Sequence, residues 1–208
     1  MMNRATGEGL DLDFPFRGRW LVQNSPADRL PSHGTTVFAT GQAIDFVPVD
    51  DTGRSARFTL TSLLVPEPPQ RFPGFGRTLL SPANGTVVAV DDGHPDHPAH
   101  RGLPSLSYMA AQPRRLRRGW PALAGNHIAI DVGGIVVVLC HLRQHSTEVA
   151  LGQSVRLGEA VAETGNSGNS TEPHLHIQAM DRLDPERAEA VPLHFRGRLP
   201  RNGEIIEA

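Results

Sequence analysis

The sequence contains no lysine, and all 20 of its basic side chains other than histidine are arginines. This absence excludes Schiff-base catalysis on lysine and also excludes biotin and lipoyl carriers, whose cofactor is attached to a lysine. Cysteine is almost absent too: Cys140 is the only one, so no internal disulfide can form. It ends the apolar run Val136–Leu139, and we expect a buried, inert thiol. No apolar segment is long enough to span a membrane.

Aromatic residues are scarce at 5%, whereas glycine (21) and proline (18) are frequent and helical runs are few. This profile favours many short strands joined by turns, and therefore an all-β sandwich or barrel built from antiparallel hairpins. A length of 208 residues suits one domain with a sizeable core. The net charge of −2 predicts no general attraction to nucleic acid or to acidic membranes.

The first twelve residues lack the apolar core of a signal peptide. We therefore expect a cytoplasmic location for the chain as written. The alternative is an export route that leaves no mark in this sequence.

The most informative stretch is Glu172-Pro173-His174-Leu175-His176-Ile177-Gln178. Residues two apart on a strand point to the same face, so His174 and His176 would present two imidazoles side by side. A dense turn signal, Thr164–Thr171, comes just before them. Taken alone, the pair is equally compatible with a solvated strand face.

Three other residues could complete a metal site. His33 precedes a strand-like run, Asp45 lies within that run between Ile44 and Phe46, and His141 ends the apolar strand that contains Cys140. A carboxylate between two core residues is costly unless it is paired or binds a metal ion. Catalytic zinc needs three such ligands and an open position.

The rest of the chain reads as strands and turns. Strands are predicted within Phe14–Val22, Thr35–Val49, Phe58–Val65, Asn126–Val132, Ile135–Leu142 and Val191–Phe195, and a hairpin is predicted around Asn84-Gly85. Residues 1–13 are expected to be a loose tail. Asp91–Leu123 is expected to be a long irregular insertion, and loops of that length are often functional or mobile.

Several motifs together resemble the lysostaphin/LytM-type zinc metallopeptidases, many of which cleave peptide cross-bridges of bacterial cell walls. The matching segments are Ser32-His33, Ile44-Asp45, Ser81–Val87, Gly125–Ile130, Cys140-His141-Leu142, Val149–Val155 and Thr164–Ser170 followed by Pro173-His174-Leu175-His176. The resemblance covers roughly residues 30–180 and departs from the family in two places. Eleven residues separate His33 from Asp45, where the best-known members have three, and the insertion 91–123 is longer than usual.

The resemblance implies an antiparallel β groove of the LytM type with a duplicated hybrid motif. It implies one zinc held by His33, Asp45 and His176, with His141 and His174 as catalytic histidines. The expected activity is hydrolysis of peptide bonds in peptidoglycan cross-bridges or stem peptides by a monomeric enzyme. On this basis residues 30–180 form the peptidase domain, 1–29 an N-terminal tail and first strand, and 181–208 a C-terminal extension.

Two alternatives remain at this point. A non-catalytic LytM-like regulatory module would usually lack some of the five site residues. A phosphohistidine carrier, also a glycine-rich β-sandwich with two close histidines, would bind no metal and lacks the Pro-His-Leu-His ending.

The remaining histidines match no functional position, and we expect structural or solvent-exposed roles for them; they are His94, His97, His100, His127, His145 and His194. Within the insertion, Tyr108, Trp120 and the arginine cluster 114–118 suit contact with carboxylate-bearing peptides. The insertion is therefore predicted to restrict substrate entry, with an exposed loop that does not touch substrate as the alternative.

Overall fold

The structure, a computed structural model, describes residues 9–110 and 112–208 and consists mainly of β-strands. The strands are β1 Leu10–Leu12, β2 Arg19–Gln23, β3 Ile44–Pro48, β4 Thr78–Leu80, β5 Gly85–Asp91, β6 Asn126–Val132, β7 Ile135–Leu142, β8 Ser154–Val155, β9 Ala160–Glu163, β10 Leu175–Met180, β11 Ala190–Val191, β12 Leu193–Phe195 and β13 Ile205–Glu207. The α-helices are α1 Leu103–Ala110, α2 Gln112–Leu116 and α3 Trp120–Ala124, and 3-10 helices cover Val37–Gln42, Thr61–Leu63 and Pro69–Arg71. The predicted all-β class is confirmed. Within the described ranges, no helix is long and apolar enough to cross a bilayer.

One antiparallel sheet organises the molecule. Its strand order is β13-β2-β3-β10-β7-β6-β5-β8, and β11 also pairs with β10. Two small sheets flank it, a parallel pair of β1 with β12 and an antiparallel pair of β4 with β9. Strands β3, β10 and β7 are therefore neighbours at the centre, where rigid elements can aim side chains.

The central strands are covered on both faces, which explains why β7 reads as an almost continuous apolar run. Val137 and Leu139 face the main core, whereas Val138 and Cys140 face a second, smaller apolar cluster. The buried position expected for Cys140 is confirmed, with 1% of the residue exposed. The two faces of β7 thus have different neighbours, and the smaller cluster continues into the site described below.

The hairpin between β6 and β7 forms as predicted. Its two-residue turn, Gly133-Gly134, has positive φ at both positions (67° and 93°). A turn of this kind matches the twist of the flanking strands but favours glycine.

The hairpin predicted around Asn84-Gly85 is wrong. Strands β4 and β5 flank this turn, but β4 pairs with β9 while β5 pairs with β6 and β8. A Cβ atom on Gly85 would lie 2.5 Å from the carbonyl oxygen of Asp131. This glycine therefore permits a close backbone approach between strands.

Three other strand predictions need correction. Of Thr35–Val49, residues Val37–Gln42 form a 3-10 helix that is kinked at Phe38 and Ala39, and only Ile44–Pro48 is a strand. Phe58–Val65 contains no strand; Phe58 (66% exposed) and Leu60 (80% exposed) bury too little surface to fix one on the sheet. Of Phe14–Val22, only the part from Arg19 is extended in the sheet, since Phe14 and Phe16 pack into the aromatic core as loop residues.

Both ends of the described chain are attached to the fold. Residues 1–8 of the expected tail lie outside the described residues, but Leu10–Leu12 forms β1 beside β12. Residues 181–208 contribute β11, β12 and β13. The insertion 91–123, expected to be irregular, contains α1 and α2 and most of α3.

Candidate metal and catalytic site

The centre of the sheet brings Asp45 and His176 together. In the register of the sheet, His176 on β10 lies opposite Asp45 on β3 and opposite Cys140 on β7. Directly opposed residues in an antiparallel pair share a face, so the Asp45 and His176 side chains converge. Their closest atoms, Asp45 Oδ1 and His176 Nδ1, are 3.0 Å apart.

His33 reaches the same point from a loop. The backbone N–H of Ser32 donates to the carbonyl of Gly41 (3.0 Å), so the intervening residues form a closed excursion that contains the 3-10 helix. The long His33-to-Asp45 spacing is absorbed in that excursion. His33 Nε2 lies 3.2 Å and 3.1 Å from the two carboxylate oxygens of Asp45. Ligand atoms of His33, Asp45 and His176 all lie within 4.8 Å of one another.

The tautomer of His176 is fixed by Gln178. The amide nitrogen of Gln178 donates to the carbonyl of Phe38 (2.8 Å), which leaves its oxygen to accept a proton from His176 Nε2 at 3.0 Å. In the neutral ring of His176 the lone pair therefore lies on Nδ1, which faces Asp45. An imidazole lone pair and a carboxylate oxygen at 3.0 Å repel each other unless a cation lies between them.

His33 shows the same arrangement. The hydroxyl of Ser32 donates to the carbonyl of Thr40 (3.2 Å) and so accepts from His33 Nδ1 at 3.0 Å. In the neutral ring of His33 the lone pair on Nε2 then points at Asp45. Three lone-pair donors thus meet at one point, and two nitrogens with one carboxylate form a donor set that suits zinc. Their outer hydrogen bonds are of the kind that orients metal ligands.

Asp45 is ionised in this setting although only 5% of the residue is exposed. Burial opposes ionisation, but the positive charges of His33 and His174 and a hydrogen bond from His176, each present when that ring is protonated, outweigh it and hold the pKa of Asp45 well below its usual value. Asn24 also donates to Asp45 Oδ2 (2.7 Å). The carboxylate is therefore held as an anion.

A β-bulge places His141 in the site. The register between β6 and β7 shifts at Asn126/His127, where Leu142 and Cys140 oppose consecutive residues and His141 is extra. His141 has the positive φ of 63°. In a regular strand, His141 would point to the sheet face opposite to that of Cys140. The bulge instead directs the His141 side chain toward His174, with ring centroids 4.7 Å apart.

His141 and His174 are both held through Nδ1. His141 Nδ1 lies 2.9 Å from the carbonyl of Ser167, and His174 Nδ1 lies 2.8 Å from the carbonyl of Glu172. A carbonyl oxygen can only accept, so Nδ1 carries the proton in each ring, and Nε2 is the atom available for proton transfer. Burial, with the neighbouring His174 and His176, lowers the pKa of His141 well below its usual value. His141 is therefore neutral at pH 7, as a general base must be.

A cleft of ≈ 370 Å³ lies over these five residues. One wall comes from Arg29, Thr35, Val37 and Thr40, and the other from Leu116, Trp120, Leu123 and Ala124. The walls meet where Phe38 approaches Trp120, with ring centroids 6.1 Å apart. The cleft is thus narrowed on one side by the 3-10 helix and on the other by α2 and α3.

The insertion contributes differently from the prediction. Trp120 lines the cleft, but Tyr108 packs elsewhere, with its hydroxyl donating to the carbonyl of Gly168 (3.0 Å). Arg115 stacks over the Tyr108 ring at 3.8 Å and donates to Asn169 (2.6 Å). In the described part of the chain the cleft-lining arginine is Arg29, from the opposite wall.

Sequence reasoning missed the outer partners of the site. Gln178 could have been found, since it follows His176 by two residues and so shares its strand face. Asn24, Ser32, Ser167 and Ser170 carry no such signal, because they reach the site from loops. Among the histidines expected to be structural or exposed, His127 is buried and pairs with Trp120 Nε1 at 3.4 Å.

Comparison with known proteins finds similarity to one family of peptidases. Residues 110–188 match the model of Peptidase family M23. The chain is similar to the peptidoglycan DD-endopeptidase ShyA of Vibrio cholerae, with 27% identity over 122 residues, which are 59% of this chain and 26% of that protein. The chain thus spans about a quarter of the length of this curated relative.

The solved structures similar to this chain include the following two. The catalytic domain of lysostaphin from Staphylococcus simulans is 17% identical, with 73% of this chain and 77% of that chain covered and a TM-score of 0.39. A zinc-containing peptidase from Vibrio cholerae is 18% identical, with 76% and 51% covered and a TM-score of 0.37. The family match and the curated relative confirm the resemblance to LytM-type peptidases of family M23 that the sequence predicted.

Proposed function

We propose that this chain is a zinc-dependent endopeptidase that hydrolyses peptide bonds of peptidoglycan cross-bridges or stem peptides. His33, Asp45 and His176 would hold the metal, and His141 and His174 would be the catalytic residues. The observation that carries the proposal is the convergence of three lone-pair donors on one point beside two imidazoles that both present Nε2. The peptidoglycan substrate is supported by the resemblance to the endopeptidase of Vibrio cholerae.

Zinc bound there would polarise the substrate carbonyl and lower the pKa of bound water. The chain's own residues supply the proton transfers. His141, neutral at pH 7, can accept a proton at Nε2 and pass it on to the leaving amine. His174, fixed through Nδ1, presents Nε2 beside it and can donate a hydrogen bond to the developing oxyanion when protonated. The lowered pKa of His141 supports this division of roles between the two rings.

The first prediction separates metal binding from catalysis. His176→Ala should lose zinc, because one of three ligands is removed. His141→Ala and His174→Ala should keep zinc and lose roughly 10²–10⁴-fold in the rate of hydrolysis, as is typical for one general acid or base. Elemental analysis of each purified variant, with digestion of purified wall fragments, measures both properties.

Three outcomes contradict the proposal in different places. Full zinc occupancy in His176→Ala would remove that residue from the ligand set. Wild-type cleavage by His141→Ala or His174→Ala would remove that ring from the reaction. A zinc-loaded wild-type protein that cuts no wall fragment would favour the non-catalytic module.

A further inference from the structure

The insertion contains a carboxylate that joins the segments carrying the two catalytic histidines. Asp96 Oδ1 accepts the backbone N–H of Asn166 at 2.6 Å, and Asp96 Oδ2 accepts the backbone N–H of Gln144 at 3.0 Å. Asp96 is only partly exposed and lies outside the cleft lining. It is therefore placed to act through other residues.

The two hydrogen bonds that Asp96 accepts complete a closed path of contacts around His141. Gln144 lies three residues after His141, and Asn166 lies one residue before Ser167, whose carbonyl holds His141 Nδ1 at 2.9 Å. The path from His141 through Gln144, Asp96 and Asn166 thus returns to His141. Between the two segments, a Cβ atom on Gly165 would lie 2.5 Å from Asp96 Oδ1, so the fit tolerates only glycine there.

The same loop holds the second histidine. The side-chain oxygen of Asn166 accepts the Ser170 hydroxyl at 2.7 Å, and Ser170 Oγ lies 3.0 Å from His174 Nδ1. The Asn166 amide nitrogen in turn donates to the carbonyl of His97, next to Asp96 (2.8 Å). Asp96 and His97 of the insertion therefore hold Asn166, and with it the loop that contacts both His141 and His174.

From this geometry we infer that Asp96 is a positioning residue for catalysis, which sets the orientation and tautomer of His141 through the loop 165–171. The inference rests on the proposed function, because it concerns the histidines that the proposed reaction uses. It also gives the insertion a task other than substrate contact. A displacement of about 1 Å in a catalytic group can cost about 10²-fold in rate.

Asp92 provides a matched control in the same insertion. Its two carboxylate oxygens accept the backbone N–H groups of Ser146 and Thr147, each at 3.3 Å, and it is also only partly exposed. It too ties the insertion to the chain after β7, but it does not contact the loop 165–171 through these bonds. Asp92→Asn and Asp96→Asn therefore remove the same charge. They differ in the backbone hydrogen bonds that they weaken, which are those to Ser146 and Thr147 for Asp92 and those to Gln144 and Asn166 for Asp96.

The test compares the zinc-loaded wild type, Asp96→Asn and Asp92→Asn. We expect Asp96→Asn to lower kcat by about 10- to 100-fold with KM and zinc content unchanged, and Asp92→Asn to retain the wild-type kcat within about twofold. Imidazole nitrogen–proton NMR gives a readout independent of cleavage. The His141 signal should show the Nδ1–H tautomer in the wild type and in Asp92→Asn, and a mixed or altered state in Asp96→Asn.

An unchanged kcat and an unchanged His141 signal in Asp96→Asn would overturn the inference. Equal losses in the two variants would overturn it as well, since they would show a general loss of stability. If the wild type cleaves no wall peptide, the proposed function fails, but the NMR comparison still decides whether Asp96 orients His141. If Asp96→Asn is unfolded, Asp96→Glu, which keeps the charge and displaces the two acceptor oxygens, should still alter the His141 signal; an undisturbed His141 signal in that variant counts against the inference.

Discussion

At the scale of single residues, Gln178 decides which nitrogen of the neutral His176 ring carries the proton. Its amide is oriented by the carbonyl of Phe38 in the strained 3-10 segment, where Phe38 and Ala39 both have positive φ (58° and 61°). A positive φ is unfavourable for residues other than glycine, so contacts with the surrounding structure must hold Phe38 and Ala39 in this conformation. The residues between His33 and Asp45 thus orient His176 as well as forming a wall of the cleft.

This dependence predicts the effect of Gln178→Met, which keeps much of the side-chain volume and removes both hydrogen bonds. We expect zinc affinity to fall about 10- to 100-fold, the usual consequence of losing an outer partner of a ligand. Competition with a chelator measures the affinity.

Gln153→Met is the control for that variant. Gln153 also uses both ends of its amide, accepting the N–H of Ala150 (3.0 Å) and donating to Glu159 (3.3 Å), but it lies away from the site. Its zinc affinity should equal that of the wild type. Equal affinities in all three proteins would mean that the tautomer of His176 does not depend on Gln178.

At the scale of secondary-structure elements, α3 and the 3-10 helix Val37–Gln42 set the width of the cleft. They approach each other through Trp120 and Phe38. The indole N–H of Trp120 donates to His127 Nε2, which holds the Trp120 ring in place. An aromatic side chain in that position is a natural contact for a bound peptide.

We therefore predict that Trp120→Ala changes which peptides are cleaved. For a peptide that fills the cleft, kcat/KM should fall roughly tenfold or more, as is usual when an aromatic anchor is truncated. The zinc content should stay at the wild-type level. Trp120→Phe, which retains an aromatic wall, should lose much less. Steady-state kinetics on a panel of wall peptides makes the comparison, and identical profiles for wild type and Trp120→Ala would show that α3 does not touch substrate. Replacing the whole insertion would be less informative, because it would also remove Asp96.

The elements show what could be predicted from the sequence. Strands β6, β7 and β10 follow from apolar runs and turn signals, and the alternation expected for His174 and His176 correctly places both side chains in the cleft, although His174 directly precedes β10. The positions of His33 and His141 do not follow from local rules. His33 depends on how the 3-10 excursion closes, and His141 depends on one extra residue in β7 that appears only when β6 sets the register.

At the scale of the whole molecule, an aromatic cluster joins three distant parts of the chain. Phe195 of β12 stacks on Phe14 (5.3 Å between centroids) and meets Phe46 of β3 edge-on (5.2 Å). Phe16 stacks on Trp20 at 4.4 Å. Since Phe46 follows Asp45 directly, the packing of this core supports the floor of the site.

Phe195→Ala should lower the free energy of unfolding by about 3–5 kcal/mol, the usual cost of a large cavity in a core. Phe58→Ala is the matched control, because Phe58 is 66% exposed and its removal should change stability by no more than about 0.5 kcal/mol. Denaturant titration of the two variants and the wild type gives both values. A small effect at Phe195 would show that residues 181–208 are not part of the cooperative unit.

The buried Cys140 has a consequence for how motions of this centre could be observed. It lies opposite His176 in the sheet and next to the bulge at His141, and burial raises the pKa of its thiol. A thiol in that state reacts with alkylating reagents only when the residues that cover it move apart. Because the chain has no other cysteine, the rate of alkylation would report how often the smaller apolar cluster over β7 opens toward the cleft, at the point where the histidines are held.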